Sequence, residues 1–404
     1  MRRIVITGIG VVSAIGNDSR SFWRSLSEGC SGIDTIAKAD ISDLRFKNAA
    51  EVRGFNASEH FTDKELMWLD PFSHFGIVAA REAIADAGLE FSDNLRERTG
   101  VITGSCLGGK ETEDRLFYDL YGQKKNRFPP IVIPAAMGNA VASHVSMEYG
   151  ITGATFTTST ACSSANHAIG LAMWMIRQGT LDAAITGGSE APLSYGSLKA
   201  WESMRVVSTD TCRPFSRDRS GLILGEGGSM FVIEEMESAM RRGARIYAEV
   251  AGFGMSADAH HLTMPLAEGA SRAMKSALND AQISIDEIGY INAHGTATQA
   301  NDAMESNAIR MVFGDLADEI YVSSTKSMHG HALGAAGAIE AAATVFGLYN
   351  NLLPPTANFN EKDPECAVNL IKNEAISASP KAALSNSFAF GGLNAVLAFR
   401  RFDG

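Results

Sequence analysis

The chain has only five cysteines in 404 residues, Cys30, Cys106, Cys162, Cys212 and Cys366, and no CxxC pair. So few, at such irregular spacing, exclude a disulfide framework and a cysteine-based zinc site and point to a reducing compartment. No uninterrupted apolar run reaches the ~18 residues of a membrane span. The apolar stretch behind Arg2 and Arg3 is broken by Gly8, Gly10 and Gly16. Its Val/Ile alternation predicts a first strand and a turn instead of a signal peptide, so a cytoplasmic protein is expected. Positive charge is also short: 35 Lys and Arg face 46 Asp and Glu, a net charge of −11. That excludes general nucleic-acid binding, and KKNR at 124–127 and RRGAR at 241–245 read as solvated surface. The turn GIGVVSAIG lacks the GxGxxG spacing of a dinucleotide-binding fingerprint.

What is present is an ordinary globular composition, 45% hydrophobic with 39 glycines, at a length that suggests two or more packed units. RIVITGIG, TGVITGS, LDAAITGGS, SMFVIEEM, IYAEVAGFG, IGYINAHG, IYVSSTKS and ALSNSFAFGG read as strands. SFWRSLSEG, PFSHFGIVAAREAIADAG, SRAMKSALNDAQ, AMESNAIRMVFG and GAIEAAATVFGLYNN read as helices. This alternation predicts an α/β fold with buried sheets. The two halves echo each other. Cys162 opens the small-residue stretch SSANHAIGLAMWM, and His331 opens ALGAAGAIEAAATVF. A duplicated core with its site between the halves would explain both.

Cys162 stands where the threonine-rich extended run from Ala154 to Thr160 meets a helix with Ala168, Leu171, Ala172 and Met175 on one face. A thiol at a helix start meets unpaired N–H groups and the positive end of the dipole, which predicts a lowered pKa. The plain alternative is a small packing cysteine. Of nine histidines, His294 and His331 each follow a strand and precede a glycine turn or a small-residue helix, with Lys326 close by. A thiolate beside two imidazoles suits acyl transfer through a thioester, with the imidazoles donating to a developing oxyanion. Backbone N–H groups of the FAFGGLN turn, around Gly391, offer a second oxyanion hole. Lys326 either orients a histidine or forms a surface ion pair. The HxH of His329 and His331 has no acidic ligand nearby, so no metal site is expected.

STACSSANHAIG, INAHGTAT, KSMHGHALGAAGAIE and LSNSFAFGGLNA together resemble the β-ketoacyl-acyl carrier protein synthases of the thiolase superfamily, specifically the type II (elongating) ketosynthases. The likeness runs the length of the chain with its motifs in order. SSANHAI and LKAWESMRVVSTDTCRPFS further resemble the specialised ketosynthases of nodulation-factor and aryl-polyene pathways. The resemblance implies a five-layered αβαβα fold of two duplicated halves, residues 1–245 with the cysteine and 246–404 with the histidine pair. It implies a decarboxylative condensation: Cys162 takes the acyl chain, and His294 and His331 assist malonyl decarboxylation. Lys326 and Glu340 would support the histidines. Thr296 and Thr298 would bind the phosphopantetheine arm, and Phe390 would gate the cysteine and share its oxyanion hole. Leu107 would line the acyl pocket near a dimer interface. The partners implied are acyl carrier protein and either an identical subunit or a ketosynthase-like chain-length factor. No cofactor is implied beyond the carrier's phosphopantetheine.

Several positions depart from the family pattern. Ala389 and Leu393 stand where glycine and threonine are usual, which puts the swing of the gating loop in question. Gln299 and Asn301 replace common proline and glycine. The helix around DKELMWLD carries Lys64 but also Trp68 and Asp70 where relatives are more basic, while Arg205 is kept. A thiolase would need a late CxG motif, and an initiating ketosynthase would pair histidine with asparagine; neither pattern is present. General fatty-acid elongation is the alternative to a polyene pathway. A non-catalytic chain-length-factor-like scaffold would have lost the cysteine.

Overall fold

The structure, a computed structural model, describes residues 2–403. Ten strands carry the architecture: Ile4–Ser13 (β1), Thr99–Gly104 (β2), Thr155–Thr158 (β3), Ala183–Glu190 (β4), Gly227–Glu235 (β5), Ala248–Ala257 (β6), Ile288–Asn292 (β7), Tyr321–Ser323 (β8), Ala382–Ala389 (β9) and Leu393–Arg401 (β10). Five helices pack on them: Pro71–Ala87 (α1), Ser164–Arg177 (α2), Ala267–Ala281 (α3), Gln299–Phe313 (α4) and Ala336–Asn350 (α5).

The strand order is β1-β5-β4-β2-β3 in the first half and β6-β10-β9-β7-β8 in the second. In each half the first two pairings are antiparallel and the last two parallel. The duplication echoed in the sequence is therefore a repeat of topology, position for position. The halves join where β1 and β6 pair through Val5–Glu249 and Ile6–Ala248. Helix α1 covers β1 and β5 on one outside, and α3 covers β6 and β10 on the other, with α4 packed against α3. Helices α2 and α5 lie against each other between the sheets, α2 on β4 and β2, α5 on β9. That makes the five layers the resemblance implies.

Local chemistry explains the elements. β1 is buried along its whole length and reads as a continuous apolar run, as strands covered on both faces do. Its glycines permit close helix packing: a Cβ on Gly10 would lie 1.9 Å from the carbonyl oxygen of Ala79 in α1. Asp70 caps α1, accepting from Phe72 N–H at 3.0 Å, Pro71 takes the first turn, and left-handed Gly88 ends it. The two central helices are rich in Ala and Gly, which lets them lie close to each other and to the strands. Among the described residues no helix is long and apolar enough to cross a membrane.

Three helices between β2 and β3 (Lys110–Phe117, Val132–Ala136, Ala140–Tyr149) and one at Tyr195–Met204 carried no clear periodic signal in the sequence. The expected strand before the cysteine is shorter, Thr155–Thr158, and forms one edge of the sheet. The opposite edge, β8, is covered by a short parallel strand, Asn369–Leu370.

Candidate active site

Cys162 and His331 occupy matching places, each in the turn that leads into a central helix. At Cys162 the turn is tight. Ala161 is left-handed (φ 50), and Thr160 and Cys162 form an isolated bridge. Ser163 Oγ donates to Thr160 O at 2.8 Å, and Ser164 Oγ to Ala161 O at 2.7 Å. These small hydroxyl residues hold a strained backbone that a flexible loop would relax. Cys162 is 7% exposed.

The expected lowering of its pKa does not hold. Burial pushes the thiol up to about 11, against the opposing pull of Lys326 and of the backbone N–H groups of Phe390 and Cys162 itself. Desolvation outweighs the ammonium and the two N–H donors, none of which belongs to α2. The resting group is a thiol whose anion, once formed, meets two N–H donors.

His294 lies two residues past β7, where Glu305 of α4 accepts from the N–H groups of His294 and Gly295, both at 2.8 Å. Its ring faces that of His331 edge-on, centroids 5.4 Å apart. Burial, then the charge of Lys326, holds both imidazoles well below the ordinary histidine range, so both are neutral. Lys326 Nζ donates to His294 O at 2.6 Å and to His294 Nδ1 at 3.3 Å. An ammonium only donates, so Nδ1 accepts and the ring proton sits on Nε2. Lys326 is fully buried and paired with Glu340 of α5, which excludes the surface ion pair. Burial raises the Glu340 carboxyl to about 7. His329 is a packing residue: its ring nitrogens meet Thr325 Oγ1 and Gly330 O, both at 3.0 Å. His167 likewise bonds Thr160 and Ser163 and packs edge-on against Phe253.

A cavity of ≈ 220 Å³ brings Cys162, His294, His331, Thr296, Thr298 and Phe390 together. Thr296 and Thr298 share a hydrogen bond at 2.9 Å, and Thr298 also caps α4. Phe390 stacks on Trp201 (centroids 6.2 Å, 27°) and points its N–H at the thiol. Gly391 (φ 84) and Gly392 (φ 69) make the tight turn between β9 and β10. Ala389 is the last residue of β9, paired with Leu393, so its Cβ fits an extended backbone. Gln299 Nε2 donates to Arg219 O at 2.7 Å, and the Asn301 N–H to Thr298 Oγ1.

Leu107 is not in this wall. It lies on the loop after β2, 37% exposed in the single chain. Asp70 is not on a docking surface either: it is fully buried, capping α1 and accepting from Thr112 N–H at 2.7 Å. Lys64 and Trp68 stay exposed. Arg205 ends the Tyr195–Met204 helix beside the cavity mouth and joins no ion pair among the described residues. The sequence reading missed the rim segment 258–266, where Asp258 accepts from Asn394 Nδ2 (2.8 Å) and Leu266 N–H (2.9 Å), and Leu262 O from Gly391 N–H (2.7 Å). It also missed Glu305, although Asp302 and Glu305 at i, i+3 on a largely buried helix are a visible signal.

Buried thiol, paired neutral imidazoles and backbone donors in one cleft are suited to acyl transfer and enolate stabilisation. The comparisons agree. Residues 1–239 match the family model "Beta-ketoacyl synthase, N-terminal domain" and residues 247–360 "Beta-ketoacyl synthase, C-terminal domain". The chain is 45% identical to Nodulation protein E of Rhizobium sp. (strain N33), covering 99% of each. It is 41% identical to 3-oxoacyl-[acyl-carrier-protein] synthase 2 of Staphylococcus aureus (strain N315), covering 100% of this chain and 99% of the relative. Among solved structures, the ishigamide ketosynthase/chain length factor superposes with TM-score 0.95 at 35% identity, covering 99% of each chain. A type II polyketide ketosynthase in complex with its acyl-carrier protein gives TM-score 0.90 at 32% identity over 100% of each. On these full-length matches, the chain belongs to the β-ketoacyl synthase family.

Proposed function

We propose that Cys162 is the nucleophile of this β-ketoacyl-acyl carrier protein synthase and that His294 and His331 serve its decarboxylation step. The observation that carries the reading is one cavity holding the thiol, two neutral imidazoles and the Phe390 N–H. In the first step Cys162 sulfur attacks an acyl thioester. The oxyanion rests on the N–H groups of Cys162 and Phe390, the carrier's C–S bond breaks, and the cysteine proton leaves with the carrier thiol. Malonyl-carrier protein then loses CO2, and its bonding pair becomes an enolate. His294 Nε2–H and His331 donate to that oxygen, a task neutral imidazoles perform without first being protonated. The enolate carbon attacks the acyl group, its bond to Cys162 breaks, and the thiolate regains a proton. Thr296 and Thr298 hold the phosphopantetheine arm, Gly391 shapes the oxyanion turn, and no resident cofactor is needed.

The partner is an acyl carrier protein, in the cytoplasm. It meets the mouth near Arg205, where exposed Leu262 and Met264 make the rim more apolar than charged. A second ketosynthase-like subunit, identical or a chain-length factor, covers the open β3 edge and places Leu107 at the deep end of the acyl pocket. The SSANHAI likeness and the Nodulation protein E match support a specialised unsaturated or polyene acyl chain over general fatty-acid elongation. Turnover of polyenoyl and saturated carrier substrates of matched length, read as acyl masses on Cys162, tests this. Equal turnover on both, from a stable homodimer, returns the enzyme to general elongation.

A further inference from the structure

β4 ends in an acid. Glu190 closes a strand of small and apolar residues, is fully buried, and has no basic side chain among its partners. A carboxylate buried without a cation is costly unless several donors converge on it. Four do. Ser105 Oγ (3.0 Å) and Leu107 N–H (3.2 Å) donate to Oε1, and Cys106 N–H (2.8 Å) and Gly334 N–H (3.2 Å) donate to Oε2.

The donors come from two segments with different duties. One is the loop after β2 that carries Leu107. The other is the turn between His331 and α5, which passes through Leu333 in a left-handed conformation (φ 46). A leucine held there is strained, and such strain persists only where the surroundings over-determine it. Leu333 packs among Leu193, Leu222 and Leu224, with Cys106 against the same cluster. Among the described residues no backbone–backbone hydrogen bond joins the two segments, and their one other direct polar contact is the Gly334 N–H with the Cys106 thiol. The junction has no slack: a Cβ on Gly334 would lie 2.5 Å from both Glu190 Oε2 and Cys106 N.

We propose that Glu190 is a positioning residue for two steps at once, holding the acyl-pocket wall at Leu107 and the strained turn that aims His331. The inference rests on the roles given above to Leu107 and His331. It makes acyl-chain selection and malonyl decarboxylation depend on one carboxylate that touches neither substrate.

Glu190→Gln keeps the shape, but its NH2 end cannot accept from the peptide N–H groups that meet it. With folding confirmed by near-UV circular dichroism, kcat for malonyl decarboxylation should fall by about 10- to 100-fold, the cost of a misplaced catalytic group. KM for malonyl-carrier protein should stay within about twofold, since the arm-binding threonines are untouched. The distribution of acyl lengths loaded onto Cys162 should shift in the same variant. Ser105→Ala, which removes one donor to Oε1, should move both readouts in the same direction by about threefold, a weakened hydrogen bond's worth. A folded Glu190→Gln enzyme with a wild-type length profile, or with unchanged decarboxylation, overturns the proposal. If that variant does not fold, Ser105→Ala decides, and movement of one readout alone overturns it. A wild-type protein that neither loads acyl chains nor decarboxylates malonyl-carrier protein overturns the ketosynthase roles instead.

Discussion

The two halves share one strand order and differ in what stands at the same point of it. In the first, the turn into α2 presents a thiol, and the strain lies in the residue before it, Ala161, held by hydroxyls of that same turn. In the second, the turn into α5 presents an imidazole, and the strain lies two residues after it, at Leu333, held by groups from outside the turn. The thiol is set locally and the imidazole from a distance. The outer edges differ too. β8 is closed by Asn369–Leu370 from its own chain, whereas β3 is left open with Phe156 36% exposed. A repeated scaffold supplies equivalent places; the residues at them, and what covers each edge, divide the labour.

The sharpest break of that division is Cys162→Ala. Losing a covalent nucleophile costs about 10⁶ in kcat, so condensation should vanish. Malonyl decarboxylation should survive, because the second half's station is intact; a variant that lost both at once would show that the halves do not act separately. Mass spectrometry and CO2 release measure the two.

The converse variants are next in size. His294→Ala and His331→Ala should each lower decarboxylation by about 10²–10³, the worth of one oxyanion donor. Each should still acquire an acyl group on Cys162, and failure of both to load would assign the pair to the first step.

Lys326 tests how the second half is kept neutral. Burial and the Lys326 charge lower both histidine pKa values, so the rings stay neutral as pH falls through the usual histidine value. Wild-type decarboxylation should therefore show no acid limb near pH ~6.5, the unperturbed histidine value. Lys326→Ala removes the repulsion and should move such a limb toward that value. It also strands Glu340, at about 3–5 kcal/mol, and Lys326→Ala/Glu340→Ala should recover most of that in chemical denaturation.

The smallest effect concerns the edges. Phe156→Lys puts a charge on the open strand and should weaken subunit association about tenfold, or 1.4 kcal/mol, by analytical ultracentrifugation. An unchanged association constant would remove β3 from the interface.

Much of this was legible in the sequence because it is written in local patterns. Strand–helix junctions marked Cys162, His294 and His331, and small-residue helices marked the central layer. What escaped depends on depth and distance. The direction of the Cys162 shift turned on burial, which no run of residues around 162 reveals. Lys326 and Glu340 are 14 positions apart, and only the packing of α5 makes them a buried pair. Asp70 looked like a surface charge because its partner, Thr112, is 42 residues away. Leu107 lies outside the cavity lined by this chain, and its distance from the thiol is not written in GSCLGGK.

The open edge of β3 also bears on how the protein is made. A lone protomer carries unpaired strand groups at β3 with Phe156 partly exposed, a template for stray strand addition. Its lifetime in a crowded cell is set by how soon the right subunit arrives. Assembly then acts as quality control, since a protomer that stays unpaired is left to chaperones and proteases.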